Sequence, residues 1–218
     1  MGDARWLARR YPTAVEGWRY VVPLAAAAWP LWRWRPAAGA GALLAAGAVA
    51  AFFRDPQRPL EADPELLYSA ADGKVLAVDQ VEAPWYLGRP SLRISTFLSV
   101  FDVHVNRSPV SGRIAEIRDI DGGFAPAMNF IKSHGNRRRE IAIETARGPI
   151  VVVQVAGLIA RRIVGWTGQG DDLAAGDRLG MITFGSRTDV IVPSGRAEPL
   201  VSAGKRIVGA RTPVARWL

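Results

Sequence analysis

From Phe53 to the C-terminus the chain never sustains a helical apolar period for more than two turns. Its apolar residues come in short β-branched runs, GKVLAVDQV, SLRISTFLSV, GRIAEIRDI, REIAIETARGPIVVVQVAG, RRIVGW, RLGMITF, TDVIVP and KRIVGAR, each closed by Gly, Pro, Asn or Asp. Runs of this length cover a strand and are too short for a helix, so the segment is predicted to be mainly β, with one short helix near Pro64–Ser69. Four phrases repeat a tight glycine turn ahead of an apolar strand: Asp72-Gly73-Lys74-Val75, Ser111-Gly112-Arg113-Ile114, Gly176-Asp177-Arg178-Leu179 and Gly204-Lys205-Arg206-Ile207. Repeated units of that kind suit a compact sandwich or barrel whose strands double back.

Ahead of Phe53 the character is different. Between Val21 and Phe53 the only charges are Arg33 and Arg35, and they divide two apolar runs. The first, Val21–Trp32, is too short to cross a bilayer, and the second, Pro36–Phe53, sits at the lower limit of about 18 residues for a spanning helix. Trp29, Trp32 and Trp34 beside the two arginines have the composition of an interfacial belt, with Trp6 and Trp18 further upstream. The expectation is a membrane-associated helical hairpin, either spanning or lying in one leaflet. Basic residues on both flanks, Arg5, Arg9, Arg10 and Arg19 before and Arg54 and Arg58 after, conflict with Arg33 and Arg35 only in the spanning form. A secretory signal is disfavoured by the charged segment that precedes the apolar part, whereas a buried helix of a soluble protein stays open. The Pro-rich, charged stretch FFRDPQRPLEADPELL reads as a linker, which divides the chain into an N-terminal region, 1–58, and a β-rich region, 59–218.

Composition narrows the chemistry. Lys and Arg total 28 against 20 Asp and Glu, a formal charge of +8, which favours an anionic partner. Dispersed arginines and the lack of a recognition helix argue against nucleic acid. With no cysteine and only His104 and His134, thiolate sites are excluded and no metal site is expected. Plausible catalytic side chains fall in three segments: AADGKV with Asp72, FLSVFDVHVNRSPVSG with Asp102, His104 and Asn106, and ITFGSRTDV with Gly185 and Ser186. A Ser–His–Asp set can activate a hydroxyl, because histidine removes its proton and the carboxylate orients the imidazole. Gly185-Ser186 follows the apolar strand Met181–Phe184 and precedes Val190–Val192, so it occupies a turn where glycine permits a strained backbone. There the serine hydroxyl can attack the preceding carbonyl in an N-to-O acyl shift. An ordinary Gly-Ser turn fits the same residues.

The stretch GDRLGMITFGSRTDVIVP with GKRIVGARTPVA resembles the barrel-sandwich hybrid architecture of lipoyl-type domains, an analogy of fold alone. The ordered set FFRDPQR, ADGKV, FLSVFDVHVNRSPVSGRI, NRRREIAIE and FGSRTDVIVP resembles the short bacterial and archaeal form of phosphatidylserine decarboxylase, from about Val21 to the C-terminus. That resemblance implies self-cleavage between Gly185 and Ser186 into a large β chain, 1–185, and a small α chain, 186–218, with Ser186 becoming a pyruvoyl group. It implies His104 as the base that deprotonates Ser186 and Asp72 as the acid holding its ring. Longer members carry a further histidine where this chain has Phe101. Asn106 and Arg107, beside His104, and His134 are candidates for the substrate site. The implied reaction converts phosphatidylserine to phosphatidylethanolamine and carbon dioxide at the inner cell membrane, with the catalytic region on the cytoplasmic side. Its partners would be phosphatidylserine and other anionic lipids and the two chains of one precursor, with a homodimer left open. The rival readings are a pyruvoyl decarboxylase of a soluble amino acid and a non-catalytic membrane-tethered adaptor. The run Arg137-Arg138-Arg139 is read as a solvated charge run suited to anionic headgroups, and GWTGQG as a turn.

Overall fold

The computed structural model describes residues 12–82, 84–158, 162–183 and 185–218. Arg5, Trp6, Arg9, Arg10 and Phe184 lie outside them. The chain divides into two compact units, Met1–Pro56 and Gln57–Leu218.

The first unit holds α1 (Pro12–Trp34) and α2 (Pro36–Phe52). They part at Arg35, whose extended backbone, φ −144° and ψ 107°, is what a residue ahead of proline adopts, with Pro36 then preset for the first helical turn. The helices fold back on one another. Gly39 permits the approach, since a Cβ there would lie 2.7 Å from Trp32 Cα, and the Phe53 ring covers Gly17 and stacks on Tyr20 at 5.9 Å. The apolar run that begins at Val21 is thus part of a longer helix carrying Glu16 and Arg19. The second run forms a helix of 17 residues, about 25 Å, against the roughly 30 Å of a bilayer core. No helix among the described residues is long and apolar enough to cross a membrane, so the spanning form of the expected hairpin is not found.

The second unit is mainly β. Its strands are β1 (Leu66–Tyr68), β2 (Gly73–Val81), β3 (Ser91–Leu98), β4 (Val105–Arg107), β5 (Gly112–Ile120), β6 (Arg138–Glu144), β7 (Ile150–Val155), β8 (Ile163–Gly165), β9 (Asp172–Leu173), β10 (Arg178–Ile182), β11 (Ser186–Pro193), β12 (Ala197–Pro199), β13 (Arg206–Ile207) and β14 (Pro213–Trp217), with one short helix, α3 (Phe130–Ser133). An antiparallel eight-stranded sheet runs β13-β2-β3-β11-β7-β6-β5-β9, and two three-stranded sheets run β1-β14-β12 and β4-β10-β8. Every strand of the large sheet sends a side chain into one core cluster: Ile207, Val75, Ile94, Val190, Val152, Ile141, Ile114 and Leu173. Laid flat, eight strands would span about 34 Å, too far for their inner residues to meet. The sheet therefore curls into a half-barrel, helped by bulges after Val75 and Ile114. Leu67, Leu179, Val214 and Trp217 from the smaller sheets close its open side.

The helix expected near Pro64–Ser69 is instead β1. Leu66 and Leu67 pair with Arg216 and Ala215 at the far end of the chain, and that ladder outweighs a local preference carried by three residues.

Candidate active site

Two connections leave the large sheet at the same end. Residues 99–104 lead from β3 to β4, and residues 183–185 lead from β10 to β11. Both connections pass from the large sheet to the β4-β10-β8 sheet, and they are tied together at each end. Leu98 pairs with Ser186 across the β3–β11 ladder, and the Ile182 N–H donates to the His104 carbonyl at 3.3 Å. Gly185 holds φ +64°, a left-handed conformation that favours glycine, and space around its Cα is open. Its carbonyl lies against Gly157 at the exit of β7, where a Cβ would come within 1.8 Å of the Gly185 oxygen. The turn expected at Gly185-Ser186 is thus a crossing between two sheets.

Strand parity sets the interior of this corner. Gln154, Thr188 and Thr96 lie in one row across β7, β11 and β3, and Gln154 Nε2 reaches over to the facing sheet, donating to Asn106 Oδ1 at 2.7 Å. From that cross-tie, Ser186 lies two residues before Thr188 and His104 two residues before Asn106. Both steps run toward the shared connections, so Ser186 and His104 are delivered to the same buried region. Ser186, His104, Asn106 and Gln154 are fully buried and Thr188 nearly so. Ser186 Oγ, Thr188 Oγ1, Gln154 Oε1 and Asn106 Nδ2 have no hydrogen-bond partner among the described residues. Such a group of orphaned polar atoms inside an apolar half-barrel is costly, at about 1–3 kcal/mol each, and marks a place kept for chemistry or for a ligand.

The His104 ring has a defined orientation. Nδ1 lies 2.9 Å from the Asp102 carbonyl oxygen, which can only accept, so Nδ1 carries the proton and Nε2 holds the lone pair of the neutral ring. Asp102 is itself fixed, its carboxylate accepting from Ser99 N–H, Ser99 Oγ and Arg206. At Nδ1 the ring's partner is the Asp102 carbonyl, where the resemblance implied Asp72. Asp72 is bound bidentately by Arg58, at 2.5 and 2.7 Å, and accepts the Gly209 N–H at 2.8 Å. Tyr68 donates to Pro109 and Arg107 to Ala70, which brings the segment that leads to Asp72 alongside β4.

The remaining candidates separate. Asn106 faces the interior, whereas Arg107, the next residue along β4, sends its guanidinium to the Gly176 carbonyl at 3.0 Å and secures that turn. His134 follows α3 at the surface. It lines a cleft of about 280 Å³ with Arg93, Arg138, Arg187 and Asp189, on the face of β11 opposite Ser186. Phe101 is 83% exposed. Sequence reasoning did not single out Gln154, Thr188 and Arg58. The available signal was Gln154 itself, the one polar residue in IVVVQV, where a buried amide needs a partner.

With this geometry in place, comparison with known proteins is informative. The family model described as phosphatidylserine decarboxylase matches residues 46–215. A phosphatidylserine decarboxylase proenzyme from Symbiobacterium thermophilum is 43% identical over 218 residues, covering 95% of this chain and 97% of that protein. A proenzyme of the same name from Carboxydothermus hydrogenoformans is 44% identical over 168 residues, covering 77% of this chain and 79% of that one. Sequence match over nearly the whole length, on a fold that carries Gly185-Ser186 beside a buried histidine, makes this chain a member of the phosphatidylserine decarboxylase family.

Proposed function

We propose that the chain is a proenzyme that cleaves itself between Gly185 and Ser186 and then decarboxylates phosphatidylserine to phosphatidylethanolamine. The observation that carries the reading is Ser186 Oγ, fully buried and without a hydrogen-bond partner among the described residues, in the corner to which the topology also delivers His104. His104 Nε2, its lone pair set by the Nδ1 bond to Asp102, takes the Ser186 hydroxyl proton. Oγ attacks the Gly185 carbonyl carbon, and departure of the Ser186 nitrogen leaves an ester. Removal of the Ser186 α-proton expels the Gly185 carboxylate, and water then displaces ammonia to leave a pyruvoyl group at residue 186. Asp72 acts as a positioning residue, its Arg58 and Gly209 contacts fixing the segment that leads into β2.

The residues present suit that group, because residue 186 heads a strand buried along its whole length and is flanked by unsatisfied polar atoms. The pyruvoyl carbonyl supplies an electron sink for loss of carbon dioxide from an amine-bearing substrate, with no metal required. Asn106, Gln154 and Thr188 orient the substrate headgroup with their free polar atoms, and the closed corner excludes bulk water. We read the β unit as barrel-sandwich-hybrid-like and the two N-terminal helices as lying in the inner membrane's interface. Exposed Trp18, Trp29, Trp34 and Leu44 support that placement.

Denaturing intact-mass analysis tests the reading. Two polypeptides, 1–185 and 186–218, are expected from the wild type, with the smaller one blocked at its N-terminus, and one uncut chain from Ser186→Ala. A wild-type preparation that remains uncut yet releases carbon dioxide from phosphatidylserine would refute the mechanism. Release from free serine and not from phosphatidylserine would refute the substrate.

A further inference from the structure

Eight large apolar side chains are exposed among the described residues of the β unit, and five of them crowd around one feature. Val100 and Phe101 lie on the connection that is tied to the Gly185 turn at both ends. Leu158 follows Gly157, whose Cα rests on the Gly185 carbonyl. Met128 and Ile131 flank Ala127 and Phe130. The Ala127 carbonyl accepts from Arg187, the Ala127 Cβ also borders Gly157, and the Arg187 guanidinium lies 4.6 Å from the Phe130 ring centre. The three segments that carry these five side chains therefore converge near Gly185, the partly exposed neighbour of the buried Ser186, and their exposed apolar tips are treated together as one rim. Ile131 and Phe101 are 89% and 83% exposed, a costly way to place such residues on a surface that meets only water.

The exposed charges on these segments are basic, since Asp102 on the 99–104 connection is buried and paired with Arg206. Residues 122–138 contain no Asp or Glu, and Lys132 and Arg162 are exposed on the same connections. An apolar rim with a basic fringe complements an anionic bilayer, whose headgroups attract the cations while the apolar tips enter the acyl boundary.

We infer that this rim is a membrane-docking surface of the β unit itself, seating the Gly185 end of the large sheet on an anionic phospholipid bilayer so that a headgroup reaches the site without the lipid leaving its leaflet. The inference rests on the reading of the chain as a phospholipid decarboxylase, and it is separable from whatever the N-terminal helices contribute.

The test uses the full chain, wild type against Ile131→Asp and Ile131→Leu, neither of which touches the self-cleaving residues. Binding is read by co-sedimentation with phosphatidylcholine vesicles containing phosphatidylserine. Turnover is read on those vesicles and on monomeric short-chain phosphatidylserine. Ile131→Asp is expected to weaken vesicle binding and to raise the apparent KM on vesicles, each about tenfold, through loss of interfacial burial. Self-cleavage and kcat on the monomeric substrate should stay unchanged, and Ile131→Leu should behave as wild type. Equal losses on vesicles and monomers would overturn the inference, as would Asp at 131 binding vesicles like wild type. If Ile131→Asp dissociates an oligomer in sedimentation velocity and leaves vesicle binding intact, a second copy occupies the rim and docking is overturned. A wild type inactive on both substrates would instead sink the phospholipid decarboxylase reading, while the co-sedimentation arm still decides docking.

Discussion

Gln154 shows how one side chain can organise a site as well as line it. Its amide nitrogen satisfies Asn106 Oδ1 and so fixes which way the Asn106 amide faces, leaving Nδ2 directed into the buried space. Gln154→Leu should leave that buried acceptor unpaired and lower stability by about 1–3 kcal/mol, measurable by urea denaturation of the Ser186→Ala background, where cleavage does not complicate the transition. The same substitution should slow appearance of the two chains in the cleavable protein. Tyr86 offers an independent check on the outer face. Its hydroxyl donates to Glu144 at 2.7 Å, and that bond, with burial second, pushes its pKa up to about 12. A proton held more tightly in the folded state stabilises the fold below pH 10, the ordinary tyrosine value, and that contribution is lost as pH rises from 10 through about 12. The drop in melting temperature between pH 9 and pH 12 should therefore be smaller in Tyr86→Phe than in wild type.

At the scale of elements, the bond proposed for cleavage is held by the crossing between sheets and by the end of β7. Gly157 is where this is most exposed to test, because a Cβ there would overlap the Gly185 oxygen. Gly157→Ala must push that carbonyl aside, and a displacement of about 1 Å at a reacting centre can cost about a hundredfold in rate. Self-cleavage followed by denaturing gel should slow by about that factor while circular dichroism keeps its β signature. Much at this scale was legible in the runs themselves: GKVLAVDQV and GRIAEIRDI coincide with β2 and β5 residue for residue. Of the short strands, β8 and β13 fall within RRIVGW and KRIVGAR, but others were not legible. β1, β4 and β9 hold two or three residues each, too few for a period, and exist because a distant partner is present.

For the whole molecule, the position of β11 governs whether the two chains would stay together after the proposed cleavage. It lies inside the large sheet, paired along all eight residues with β3 and along five with β7, and every one of its residues is buried. Arg58 adds a clamp across the proposed cut, holding Asp72 on one side of it and the Gly209 carbonyl on the other. The two chains should therefore co-elute on gel filtration in native buffer and separate only in denaturant. Separation without denaturant would show that the sheet opens on cleavage.

The sequence by itself determined the class of each region, because apolar spacing acts locally: short β-branched runs after Phe53 became strands, and the two apolar runs divided by Arg33 and Arg35 fell in two helices. It also determined that Ser186, His104 and Asp72 were the residue types to watch. The tertiary structure alone decided their partners. That Asp72 meets Arg58, that the Asp102 carbonyl holds the His104 ring, and that Gln154 ties two sheets together beside Ser186 all depend on register between strands far apart in the chain. No local propensity encodes such register. It is set by how eight strands must curl to bury one core.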